Sequence, residues 1–149
     1  MLFSGDRRQM REIFFRAWRH HHNNETVEGI ERLIVDVALL HPEYQTLLED
    51  PEEMGERDYL PELGETNPFL HMSMHIAIAE QLSIDQPKGI RNHYHELLLK
   101  TGDEHAAQHQ IMECLGETLW RAQQAQQAPD ESEYLECIAR LCHNKGHLF

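Results

Sequence analysis

The chain has 149 residues, of which 40% are hydrophobic and 26% charged, a composition that excludes a disordered polymer and provides for a buried core. Its 26 acidic side chains outnumber 13 basic ones, for a formal charge of −13. Such a surface repels phosphate backbones and anionic lipid, so neither nucleic acid nor a membrane is expected as a partner. No run approaches the roughly 18 apolar residues of a membrane span. The opening "MLFSGDRRQM" also lacks the cationic start and apolar run of a secretory leader.

In chain order, Ile13, Phe14, Ala17 and Trp18 recur at helical spacing and predict a first helix from about Asp6 to His22. Arg7, Arg8, Arg11, Arg16 and Arg19, followed by His20, His21 and His22, read as an exposed basic face of that helix. "TVEGIERLIVDVALL" continues the pattern through Val27, Ile30, Ile34, Val37 and Leu40. It stops at His41, because the residue before Pro42 is pushed out of helical geometry. "EYQTLLED" reads as a short turn. The segment over about residues 49–66, which contains "PEEMGERDYLPELGET", reads as one long irregular acidic loop, a kind of connection that is often functional.

Asn67 is placed to cap a third helix, with Pro68 in the first turn, where its missing N–H costs nothing. That helix runs to about Asp85. Pro87 opens a fourth, "PKGIRNHYHELLLK", which Gly102 ends in a left-handed conformation. Asp103 caps a fifth, "EHAAQHQIMECLGETLWRAQQAQQ", and Pro129 with Asp130 begins a last one through about Cys142. No alternating run or internal repeat appears. The expected fold is all-α: a single domain over residues 1–149, a bundle of five or six helices, mostly up-and-down, with one long loop.

Cys114, Cys137 and Cys142 are odd in number and lack framework spacing, which predicts free thiols in a reducing cytoplasm. The five-residue step between Cys137 and Cys142 is poor for one helix face, so zinc binding by these two with His143 and His147 is not favoured.

The chemistry lies in the histidines, of which there are 12. At 100° per residue, His75 lies about 40° from His71, while Ile78 and Leu82 fall within about 20° of His71. Both imidazoles therefore occupy the middle of the apolar face, opposite Ser73 and Glu80. On the fifth helix, His105 and His109 share a stripe with Met112, Gly116, Leu119 and, slightly off it, Trp120, and Glu113 stands one turn beyond His109. Short connections make consecutive helices antiparallel, which sets both His-x3-His pairs at one level, with His41 at the end of the second helix nearby. His93 reads as a core-edge residue, His95 as exposed, and Glu96 as a weak candidate ligand.

Two imidazoles at i and i+4 can reach one ion together, and a second pair completes four ligands. The positive end of a helix disfavours imidazolium, leaving the neutral ring that binds metal. The expected site is His71, His75, His105 and His109, with His41 or Glu113 as a fifth ligand, around a divalent transition metal: zinc, iron, nickel or copper. An open coordination position would permit Lewis-acid or water-activating chemistry. Catalysis itself, and any small-molecule substrate, stay open. The competing expectation is a metal-free interaction or regulatory module, in which the histidines form a structural hydrogen-bond network and a surface such as the first helix meets a protein partner or a second copy of the chain. A pH-sensing role for the cluster is a third. Phosphate-binding glycine loops, a serine elbow, Cys-x-x-Cys and the Glu-x-x-His pairs of di-iron bundles are all missing.

At "HPEY", "GETNPFLHMSMHIAIAEQLSIDQPKGIR" and "MECLGETLWRAQ" the sequence resembles a bacterial family of unknown function, DUF1841, over nearly its whole length. The resemblance implies a proteobacterial cytosolic protein and histidines matching His41, His71, His75, His105 and His109, with His93 and His95 at more variable places. It implies no activity.

Overall fold

A computed structural model of the chain describes residues 4–55, 57–59 and 67–143. Among them are eight α-helices and no strand: α1 (Ser4–His22), α2 (Ile30–Leu40), α3 (Pro42–Leu48), α4 (Pro51–Met54), α5 (Pro68–Ile84), α6 (Ile90–Thr101), α7 (Glu104–Ala125) and α8 (Glu131–His143). The all-α expectation holds, but the count of five or six does not. The two unexpected helices are α3 and α4, both short and both opened by a proline at the first helical position. Asp50 caps α4 by accepting from the Glu53 N–H at 3.3 Å, and Glu52 and Glu53 suit its positive end. The first part of the expected loop is therefore helical. Residues 60–66 of that loop, and His147 in the tail, lie outside the described residues.

Two compact units divide the chain, Met1–Ile76 and Ala77–Phe149, and α5 contributes its first half to one and its second half to the other. In the first unit Ala17, Ile34 and Ala38 are fully enclosed, with Phe14, Phe15, Trp18, Phe69 and Met72 around them. Phe69 meets Phe14 and Phe15 edge-on, with ring centroids 5.6 and 5.7 Å away. Gly29, at φ 60°, stands immediately before α2, so the apolar pattern that begins at Val27 becomes helix only from Ile30.

The basic face of α1 is not wholly exposed. Arg11 is only 6% exposed, because positions 11, 14, 15 and 18 form one i, i+3, i+4, i+7 stripe on the buried side. Its guanidinium donates to the carbonyls of Met54 at 3.1 Å and Arg57 at 2.8 Å and lies 4.5 Å over the Phe69 ring. A buried cation thus keeps acceptors at the end of α4 and an aromatic face in place of water. Gly55 belongs to the same junction: an added Cβ would meet the Pro51 carbonyl at 2.6 Å and an Arg8 nitrogen at 2.8 Å, so a side chain there would push the chain apart. On the other side of α1, Glu31 accepts from Arg16 at 3.2 Å and pairs with His20 at 2.8 Å.

In the second unit α6, α7 and α8 pack on one another. Ile90, Leu97, Ala107, Ile111 and Ile138 are fully enclosed. Tyr134 donates to the Gln81 side-chain oxygen at 2.6 Å, and burial pushes its phenol well above the ordinary range. Cys114 and Cys137 form a disulfide joining α7 to α8, which corrects the expectation of free thiols; only Cys142 remains a thiol, donating to the His93 carbonyl at 3.4 Å. Neighbours within α8 were the wrong pair to weigh, since the bond spans 23 residues and two helices. Caps fall where the sequence places them. Asn67 accepts from the N–H groups of Phe69 and Leu70, Asp103 accepts from Ala106, and Gly102 takes φ 74°. Helix α6 begins at Ile90 rather than Pro87, after Gly89 at φ 102° and an Asp85 carboxylate that accepts from the N–H groups of Gly89 and Arg91. Among the described residues no helix is long and apolar enough to cross a membrane.

Candidate metal centre

His41 stands between α2 and α3 in an extended conformation, φ −130° and ψ 80°, as Pro42 requires of the residue before it. Its backbone closes one helix and opens the next: the N–H donates to Ala38, and the carbonyl accepts from Tyr44. The side chain is 4% exposed, and its Nδ1 lies 2.9 Å from the Val37 carbonyl oxygen. A carbonyl only accepts, so Nδ1 carries the proton and Nε2 carries the lone pair. Metal-ligating histidines are commonly oriented in this way, with one ring nitrogen tied to a backbone carbonyl and the other turned to the ion.

On α5, His75 is 1% exposed and His71 half-buried, while Ser73 and Glu80 face solvent, as helical geometry predicts. The three rings of this unit gather closely. His41 lies 4.9 Å from His75 and 5.3 Å from His71, and His71 lies 4.9 Å from His75, between ring centroids. Tyr44 stacks on His41 at 5.0 Å with its ring only 18° from parallel, and sits 5.8 Å from His71. Burial pushes the Tyr44 phenol above its ordinary value of 10, and the neighbouring Glu43 carboxylate adds to the rise, so Tyr44 stays a protonated donor.

On α7, His105 and His109 approach within 4.1 Å between centroids, one turn apart. They lie about 160° round the helix from Ala107, away from the series Ala107, Ile111, Cys114, Thr118 that packs inside the second unit. Both are nevertheless half-buried. The stripe expected to continue from them holds at buried Met112 and half-buried Gly116 and gives out after that, since Leu119 is exposed and Trp120 is 60% exposed.

One ring nitrogen from each of His41, His75, His105 and His109 lies within 4.8 Å of the others, so these four could hold a metal ion. Metal–imidazole bonds of about 2.0–2.1 Å place adjacent ligand atoms of a tetrahedron about 3.3 Å apart. The group contains no carboxylate or thiolate. His71 touches two of its members without belonging to it, and Glu113 is exposed and outside it. His95 and Glu96 are exposed, and His93 is half-buried, its buried Nδ1 without a hydrogen-bond partner among the described residues. Tyr44 went unnoticed in the sequence, although its place three residues after His41 at the start of a Pro-opened helix was a usable signal.

The family model for a domain of unknown function, DUF1841, matches residues 6–140. The chain belongs to that family. No curated protein and no solved structure matches it.

Proposed function

We propose that this protein binds one divalent transition-metal ion through His41, His75, His105 and His109. The observation that carries the reading is that four imidazole nitrogens, from the α2–α3 junction, α5 and α7, lie within 4.8 Å of one another. The His41 tautomer supports it, because the Val37 carbonyl orients that ring before any ion arrives. Electrostatics support it too. A cation shared by the four would satisfy at once the ring nitrogens that lie within 4.8 Å of one another. An all-imidazole set suits zinc, copper, nickel or iron better than calcium or magnesium, which prefer oxygen. His71 and Glu113, both candidates from the sequence, are not needed as ligands.

The Val37–His41 hydrogen bond would equally serve a metal-free polar network, and one experiment separates the two readings. Protein purified without an affinity tag is analysed for metals by mass spectrometry and melted with and without chelator. The metal reading expects close to one ion per chain, a lower Tm in chelator because a ligand of the folded state stabilises it by mass action, and loss of the ion in His75→Ala and His105→Ala. Metal-free protein with a Tm indifferent to chelator and to added zinc or copper would leave the network reading standing.

A further inference from the structure

His41 brings one of the four nitrogens, and its ring is held from two directions; this inference rests on the metal reading above. Within the ring plane, Nδ1 donates to the Val37 carbonyl at 2.9 Å. Across the ring face, Tyr44 stacks with centroids 5.0 Å apart and planes 18° from parallel. His75 and His71 meet the same imidazole at steeper angles, 58° and 76°. A single hydrogen bond fixes the tautomer but leaves a ring able to swing about that bond. A stacked face opposes the swing, because turning the imidazole out of its plane gives up the overlap. The stack also responds to the ion. An imidazole bound to a divalent cation carries part of the positive charge, and the electron-rich face of a phenol ring attracts positive charge within about 6 Å. A contact that is stronger with the ion bound than without it raises affinity for the ion.

We propose that Tyr44 is a positioning residue of the metal centre: its ring face holds the His41 imidazole with Nε2 as the ligand atom and favours that imidazole once it is coordinated. The role belongs to the aromatic face and not to the hydroxyl. The corner that carries both residues is built without the Tyr44 side chain. The Ala38 carbonyl accepts from the His41 N–H and from the Gln45 side chain, each at 3.1 Å, and the Tyr44 N–H donates to the His41 carbonyl at 2.9 Å. A change of side chain at position 44 therefore removes the stack and leaves the turn between α2 and α3 its hydrogen bonds.

Zinc affinity of the full-length chain in three forms tests this: wild type, Tyr44→Phe, which keeps the face, and Tyr44→Leu, which keeps apolar bulk without it. Each is titrated with zinc against a chromophoric chelator of known affinity. Ultraviolet difference spectra are recorded separately, without the chelator; zinc itself is colourless, so a tyrosine band that shifts on loading reports the ring over the coordinated imidazole. The expected result is one zinc per chain in all three forms, with affinity within about threefold of wild type in Tyr44→Phe and about tenfold or more weaker in Tyr44→Leu, the size of effect that outer partners of a metal ligand have. Wild type should also show a tyrosine difference band that Tyr44→Phe lacks, and that band decides the matter if Tyr44→Leu fails to fold. One zinc bound by wild type with no such band, or an affinity in Tyr44→Leu equal to wild type, overturns the role of Tyr44 and leaves the metal site standing. Equal losses in Tyr44→Phe and Tyr44→Leu assign the effect to the hydroxyl and overturn it as well. A wild-type chain that binds no zinc overturns the metal reading and this role together.

Discussion

The two units of the chain present their histidines on different foundations. In Met1–Ile76, His41 and His75 are enclosed, and His41 is locked by its own backbone and by the Val37 carbonyl. In Ala77–Phe149, His105 and His109 are half-buried on the side of α7 turned away from that unit's enclosed series. One pair is enclosed, and the other is half-buried on a face of α7 that it shares with buried Met112. On the metal reading, residues of one chemical type can thus combine a structural with a ligand role or carry the ligand role alone, according to what else their face of the helix holds up.

The largest effect should come from setting the pairs against each other. His75→Ala empties an enclosed position and should lower the stability of the metal-free protein by about 2–4 kcal/mol. His105→Ala should cost the same protein under about 1 kcal/mol, while both variants lose the ion. Urea unfolding in the presence of chelator measures this, and equal losses would erase the distinction. Next, opening the Cys114–Cys137 bond by Cys137→Ser should cost about 3 kcal/mol, the loop-closure value for a separation of 23 residues. Since the bond ties α7 to α8, metal content should survive where the fold survives, as elemental analysis would show.

Arg11→Met comes third, at about 2 kcal/mol, because it keeps the apolar stem yet strands the carbonyls of Met54 and Arg57. A neutral result would mean that water replaces the guanidinium. Smallest is Glu31→Gln. The hydrogen bond from His20, then that from Arg16, holds the Glu31 carboxyl below its ordinary value of 4.5. A depressed carboxyl stabilises the fold above that value, and the contribution disappears as pH falls through the lowered one. Partial exposure limits it to a few tenths of a kcal/mol. Wild type and Glu31→Gln should therefore differ slightly at pH 7 and converge in acid, as Tm against pH would report.

What was legible in the sequence follows from how local each signal is. Asn67 with Pro68, Asp103, Gly102 and the His41–Pro42 step act on neighbouring backbone, and each stands at the helix end read for it. Helices α3 and α4 escaped notice because seven and four residues are too few to display a period. The burial of Arg11 was written in its spacing from Phe14, Phe15 and Trp18, but its charge argued for exposure until its carbonyl partners were known. The disulfide was illegible, since only packing chooses between partners 23 residues apart. At the candidate centre, helical arithmetic selected His71, His75, His105 and His109 with His41 beside them. It had no means of exchanging His71 for His41 in the closest group, because that choice depends on the turn Pro42 imposes.

X-ray absorption at the metal edge of the loaded full-length chain tests the central claim most directly. The account predicts about four nitrogen scatterers near 2.0 Å, with the outer-shell pattern of imidazole rings and no sulfur. A first shell dominated by oxygen, or containing a thiolate, would contradict it.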